Sequence, residues 1–195
     1  MRQVALPSIA GAHRLIVVVG PSGAGKDSVL RAWRASLGAD APAVARRVIT
    51  RAPHETESHD AVTPGDFAGL RDRGLLATWW QAHGLDYGVS CNELAPLAAG
   101  RWVVLNGSRA HLPALRTQAP GLRVVCVSAP APVLASRLAA RGREGAPARD
   151  ARLARAIATP VEADLHLVND GALGDCVAAL SRWWDALRAG ASRDR

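Results

Sequence analysis

The chain has 195 residues, long enough for one domain with a substantial core and too short for two. Its net charge of +7 suits polyanionic partners, and with a single Phe and a single Tyr those are expected to be small molecules rather than nucleic acid. Apolar runs of at most about five residues exclude a membrane span, no signal-peptide pattern opens the chain, and Cys91, Cys126 and Cys176 fit neither a disulfide framework nor a metal spacing, so a cytoplasmic protein with buried, reduced thiols is expected.

Residues 1–12, with Pro7 and Gly11 and no hydrophobic period, are expected to form a loose arm. Residues 15–19, LIVVV, predict a buried strand, and residues 20–25 a glycine-rich turn that opens a helix at Lys26. Gly20, Pro21, Ser22, Gly23, Ala24, Gly25 and Lys26 satisfy G-x-x-x-x-G-K between a strand and a helix, which is the context of a phosphate-binding loop. Such a turn gathers backbone N–H groups around an anion, and the helix N-terminus adds partial positive charge there. Of the 24 Lys and Arg residues Lys26 is the only lysine, at the one position where the pattern asks for it to lie along a polyphosphate. The next position, where Ser or Thr usually holds Mg²⁺, is Asp27, followed by Ser28. Both are oxygen donors and are the candidate magnesium ligands.

The first helix is predicted to run to residue 37, with Val29, Leu30, Trp33 and Leu37 on one face and Gly38 as its stop. Residues 43–50 predict a second strand whose end carries Arg47 and Arg51. The polar segment 52–65 should face solvent or a ligand, and a short helix over 67–73 should end at Gly74. A third strand over 75–80 runs into QAHGLDYGVS. Asn92 is placed to cap a helix over 93–99. A buried strand over 102–105 leads into Asn106, Gly107, Ser108 and Arg109 at the carboxyl edge where ligands bind parallel sheets, so Asn106, Ser108 and Arg109 are acceptor or metal candidates. His54, His59, His83 and His111 read first as loop or core histidines.

A helix from residue 112, a strand over 122–127 and a helix after Pro130 and Pro132 follow, the last carrying Leu134 and Leu138. Arginines at 137, 141, 143, 149, 152 and 155 then cluster, and their bidentate groups suit phosphate oxygens. A last strand over 165–168 precedes Asn169 and Asp170, and Leu173, Val177, Leu180, Trp184 and Leu187 mark the core face of a closing helix. Alternating strands and helices with unbroken apolar strands predict an α/β fold, a parallel sheet covered by helices on both faces.

Residues 14–188 resemble the guanylate kinase-like branch of nucleoside monophosphate kinases, through GPSGAGKDS, the ITR ending at Arg51, Glu57, the GLDYG around Tyr87, the RLAARGR from Arg137 and the VND at Asn169 and Asp170. The resemblance implies a P-loop kinase core using ATP and Mg²⁺, with an acceptor-binding subdomain over about residues 46–91 and an Arg-rich mobile lid over about 137–155. It also implies that Arg51 and Tyr87, with Arg47 and His59 nearby, hold an acceptor phosphate, and that Asn169 and Asp170 border the adenine. Lys26, Arg137, Arg141 and Arg143 are then the catalytic candidates.

The departures from guanylate kinases narrow the acceptor. His54 stands in place of a second phosphate-binding arginine, Thr78 in place of the glutamate that reads guanine, and Val89 in place of a hydroxyl that helps it. A site stripped of those polar groups discriminates a base poorly. The string NGSRAHLP from Asn106 to Pro113, with GPSGAGKDS, HGLDYGVS and RGRE, is similar to the ribose 1,5-bisphosphate phosphokinases of phosphonate degradation, which transfer the γ-phosphoryl of ATP to a phosphorylated sugar. An acceptor that is itself a phosphate is already ionised and needs no Asp base, only charge neutralisation and alignment. A guanylate kinase and a catalytically silent guanylate kinase-like binding module remain as alternatives, and the oligomeric state, a homodimer included, stays open.

Overall fold

Five consecutive branched side chains make the first strand, β1 (Leu15–Val19), and all five are buried, as an apolar run inside a covered sheet requires. The computed structural model of the chain describes residues 8–52, 59–82, 84–140 and 161–191. After β1 come α1 (Lys26–Leu37), β2 (Ala43–Ala45), β3 (Arg47–Ile49), β4 (His59–Ala61), α2 (Pro64–Asp72), β5 (Leu76–Ala82) and β6 (Leu85–Ser90). The order continues with α3 (Cys91–Ala98), β7 (Val103–Asn106), α4 (Leu112–Gln118), β8 (Arg123–Ser128), α5 (Ala131–Ala140), β9 (Leu165–Val168) and α6 (Leu173–Ala191).

These strands form two sheets. The larger has the order β2-β7-β1-β8-β9, with β2 parallel to β7 and β8 parallel to β9. The smaller, β4-β3-β6-β5, is mixed: β3 runs parallel to β4, while β6 lies antiparallel to both β3 and β5. The chain also divides into two compact units, Met1–Val17 with Pro42–Arg123, and Val18–Ala41 with Val124–Arg195.

In the first unit, the single strand predicted over residues 43–50 is instead two, because the chain leaves the larger sheet at Arg46. The Arg46 N–H donates to Glu93 Oε2 at 2.8 Å, and its guanidinium lies 3.4 Å from Asp60 and 3.9 Å from Glu93. Those tertiary contacts replace a ladder bond, and β3 resumes in the smaller sheet. Val48, Phe67 and Leu76 form that sheet's core, with Val62, Leu70 and Trp79 packed on it. Thr63 caps α2, its Oγ1 accepting from Asp66 N–H at 3.1 Å and donating to Asp66 Oδ2 at 2.7 Å. Asn92 does not cap α3. Strand β6 stays extended through Ser90, so the helix begins at Cys91 with Ser90 in the cap position. Residues 8–12 are not a loose arm either: Ile9 is buried and its N–H donates to the Gln118 carbonyl at 2.8 Å.

In the second unit, α1 packs against α6 through Trp33 and Trp184, both fully buried, their rings edge to face at 5.7 Å and 88°. Cys176, Leu180 and Trp184 supply the buried stripe of α6, whereas Leu173, expected in the core, lies at the surface. Cys126 and Cys176 are buried and in no disulfide, and Cys91, against expectation, is exposed. No helix among the described residues is long and apolar enough to cross a membrane.

Candidate functional site

The loop from Gly20 to Gly25 joins β1 to α1 within the second unit. A Cβ on Gly20 would strike the Val127 carbonyl, and Gly25 adopts φ 88°, so neither position accepts another residue without strain. Gly25 is also the N-cap of α1, and the helix's first bond runs from Val29 N–H to Gly25 O at 2.9 Å. A glycine cap offers no side chain to the leading N–H groups, which suits an anion at that end. Lys26 Nζ donates to Gly20 O at 2.9 Å and to Pro21 O at 3.1 Å, folded back along the loop.

Two side chains from outside the loop hold it. Arg137 Nη1 on α5 donates to Gly23 O at 3.4 Å, and Asn169 Nδ2, at the end of β9, donates to Ala24 O at 2.8 Å. Asn169 is buried, and Asp170 beside it is exposed. Asp27 is half-buried and Ser28 exposed on the first turn of α1. Their donor chemistry, one carboxylate and one hydroxyl, fits Mg²⁺, an oxygen-seeking ion that completes its shell with phosphate oxygens and water. No group of three or more His, Cys, Asp and Glu able to hold a metal occurs among the described residues. Arg141 and Arg143, and the remainder of the expected lid after residue 140, lie outside the described residues, as do His54 and Glu57.

The acceptor candidates lie in the first unit. Arg47 and His59 are register partners on β3 and β4, and His59 Nε2 donates to the Arg51 carbonyl at 3.3 Å. Arg51 is half-buried just past β3. Tyr87 on β6 pairs with Ile49 on one side and Trp80 on the other. Its ring stacks on Trp80 with centroids 5.5 Å apart and planes 8° from parallel, and His111 stacks on Trp80 at 5.1 Å and 18°. Asn106 is buried at the end of β7, followed by half-buried Ser108 and Arg109. The Ser108 carbonyl accepts from the N–H groups of His111 and Leu112, a turn that carries His111 back toward β5.

Beneath this stack Thr78 is fully buried. Its hydroxyl donates to Gln118 Oε1 at 2.9 Å and lies 2.7 Å from His111 Nε2. With the Thr78 proton given to Gln118, the imidazole Nε2 is the donor to Thr78. Burial pushes the His111 pKa below its ordinary value of 6.5, which keeps the ring neutral at neutral pH. Val89, the other departure from a guanine site, is fully buried and pairs with Thr78. Position 78 therefore spends its one polar group internally.

Trp80 and Gln118 were not singled out from the sequence, and His111 was read there only as a loop or core histidine, which its half-buried place against Thr78 and Trp80 bears out. Trp80 shares a strand face with Thr78 two residues away, a signal that was there to be read. Gln118 is 40 residues from Thr78 and carried no local mark.

No family model matches the chain. Among curated proteins it is 49% identical over 159 residues to the ribose 1,5-bisphosphate phosphokinase PhnN of Acidiphilium cryptum, covering 80% of this chain and 84% of that one. It is 45% identical over 167 residues to the protein of that name from Burkholderia mallei, covering 84% and 91%. It is 42% identical over 180 residues to that of Pseudomonas paraeruginosa, covering 90% and 97%. Among solved structures, guanylate kinase from Anaplasma phagocytophilum aligns with a TM-score of 0.62 over 93% of this chain and 88% of that one, at 18% identity, a likeness of fold.

Proposed function

The chain belongs to the ribose 1,5-bisphosphate phosphokinase family, and from that premise we propose that it transfers the γ-phosphoryl of ATP to the 1-phosphate of ribose 1,5-bisphosphate, giving 5-phosphoribosyl 1-diphosphate. The single observation that carries the choice of a sugar phosphate over a purine is the closed set Thr78, His111 and Gln118, which leaves no polar group at position 78 for a base.

On this reading the loop N–H groups from Gly20 to Gly25 cradle the donor phosphates, and Lys26 exchanges the carbonyls of Gly20 and Pro21 for β- and γ-phosphate oxygens. Asp27 and Ser28 are the protein oxygens for Mg²⁺, which supplies charge neutralisation on the triphosphate. Arg51, with Arg47, His59 and Tyr87, holds the acceptor phosphate, and Asn106, Ser108 and Arg109 orient the sugar. Residues 46–91 act as the acceptor-binding part. An oxygen of the 1-phosphate attacks the γ-phosphorus, the bond to the β-bridging oxygen breaks, and ADP leaves. The nucleophile is already an anion, so no side chain has to take a proton. Two polyanions repel as they meet, and Arg137, Arg141 and Arg143 neutralise the transferring group.

The test is ³¹P NMR of reactions containing ATP, Mg²⁺ and either ribose 1,5-bisphosphate or GMP. A new diphosphate on the sugar with GMP unchanged is expected. Rapid formation of GDP would instead make the protein a guanylate kinase, and no transfer to any acceptor would favour a silent binding module.

A further inference from the structure

We infer that Asn169 is a positioning residue that sets the conformation of the phosphate loop, so that it acts on the triphosphate of any nucleotide rather than on an adenine ring. The inference deepens the reading above and rests on the loop holding a triphosphate.

The Asn169 backbone is fixed first. It follows β9 directly, where Val168 is in register with Ser128, and its own N–H donates to Ser128 O at 2.8 Å. Asn169 as a whole is 5% exposed, and its side-chain amide nitrogen lies 2.8 Å from Ala24 O, 145 residues away in sequence. That partner is a carbonyl oxygen, so only the NH₂ end of the amide can face it. A buried side-chain donor tied to one loop carbonyl has little freedom left to read a base.

The consequence for the ligand lies in the next peptide plane. In a trans peptide the C=O of one residue and the N–H of the next point in opposite directions. Tying Ala24 O to Asn169 therefore turns the Gly25 N–H away from Asn169. Gly25 is the N-cap of α1, so this N–H stands at the positive end of the helix, where an anion is stabilised. Without the tie the peptide is free to flip and present its carbonyl to the anion instead. Gly25 and Asn169 are also matched in size, since a Cβ on Gly25 would collide with the Asn169 amide. The Arg137 contact with Gly23 O is longer, at 3.4 Å, and comes from a half-buried side chain, so Asn169 is the firmer of the two ties.

Asparagine is specified by this geometry. Alanine leaves the Ala24 carbonyl without its donor, and aspartate sets a carboxylate oxygen against that carbonyl, which is worse. The experiment is calorimetric titration of wild type, Asn169→Ala and Asn169→Asp with ATP and, separately, with inorganic tripolyphosphate, which has no base. Both ligands are expected to weaken by the same factor, about tenfold for the alanine variant, on the scale of one hydrogen bond and its stranded partner. The aspartate variant should lose more than the alanine variant. Retained tripolyphosphate affinity in either variant, whether or not ATP binding falls, overturns the inference alone. Wild-type protein that binds neither ligand overturns the kinase reading and this inference together. Should the variants not fold, wild-type protein carries the test through ¹⁵N NMR: the Asn169 side-chain amide is expected to exchange slowly with solvent, and exchange as fast as that of an exposed asparagine refutes the tie.

Discussion

The Thr78 hydroxyl donates to Gln118 Oε1 at 2.9 Å, and both residues are buried. The Gln118 side-chain nitrogen has no hydrogen-bond partner among the described residues, so this bond is what makes the burial of that amide tolerable. Thr78 also receives His111, and Trp80 stacks on the same imidazole, so one threonine anchors the platform on which Tyr87 lies.

Thr78→Val removes the hydroxyl and keeps the shape. Gln118 Oε1 and His111 Nε2 both lose their partner, and the expected loss of stability is about 2 kcal/mol, the scale of stranding a buried polar group. Urea unfolding of the two proteins measures it. If the platform positions Tyr87 for the acceptor, the KM for ribose 1,5-bisphosphate rises as well, with the KM for ATP unchanged. An unaltered unfolding midpoint would show that the buried set contributes nothing net.

His111 gives stability a pH dependence of definite sign. Its folded-state pKa lies below the usual 6.5 because burial disfavours the cation, whereas the unfolded chain titrates near the usual value. Between those two values the unfolded state binds more protons, so stability falls as pH drops through the window and is flat above it. The urea midpoint is therefore expected to decline from about pH 7.5 to about pH 5.5, spanning the ordinary histidine range. His111→Gln keeps a donor for Thr78 and removes the titration, so its decline should be shallower. Equal slopes in the two proteins would place the proton uptake on another group.

What could be read from sequence was whatever is written locally. β1, the loop and α1 match their predicted ends, since an apolar run, glycine punctuation and one amphipathic turn after another are all short-range signals. The split at Arg46 was not legible, because it depends on Glu93 and Asp60, distant in sequence. Nor was β6: LDYGVS is too polar and glycine-bearing to announce a strand, and its register is set by β3 and β5 on either side. The candidate site divides the same way. Lys26, Arg51 and Tyr87 sit in recognisable strings, while Trp80, His111 and Gln118 acquire meaning only when β5 and the helix α4 with its N-cap are brought together.

Lys26 is folded onto two loop carbonyls, a half-buried arrangement whose loss should hardly alter stability. If its ammonium instead meets the transferring phosphoryl during reaction, Lys26→Ala lowers kcat by about 10²–10³, the loss typical of removing one donor from a developing anion. An ADP-release assay beside a thermal unfolding scan separates the two effects. A variant with half the wild-type kcat would remove Lys26 from the chemistry.

Arg51 and Arg137 should fail in different ways. Arg51 belongs with His59 and Tyr87, whose strands flank β3, whereas Arg137 touches the Gly23 carbonyl of the phosphate loop. Removing a guanidinium that grips a bound phosphate forfeits a charge-assisted bond, which corresponds to about tenfold to a hundredfold in affinity. Arg51→Ala is therefore expected to raise the KM for the phosphorylated sugar by that factor and to leave the KM for ATP near wild type. Arg137→Ala should chiefly lower kcat, because a cation beside the donor loop is most needed when charge spreads over the transferring group. Steady-state kinetics with each substrate varied in turn distinguishes the patterns. Were both variants to change only the KM for ATP, Arg51 would be a structural residue and the acceptor phosphate would have to be held elsewhere in the first unit.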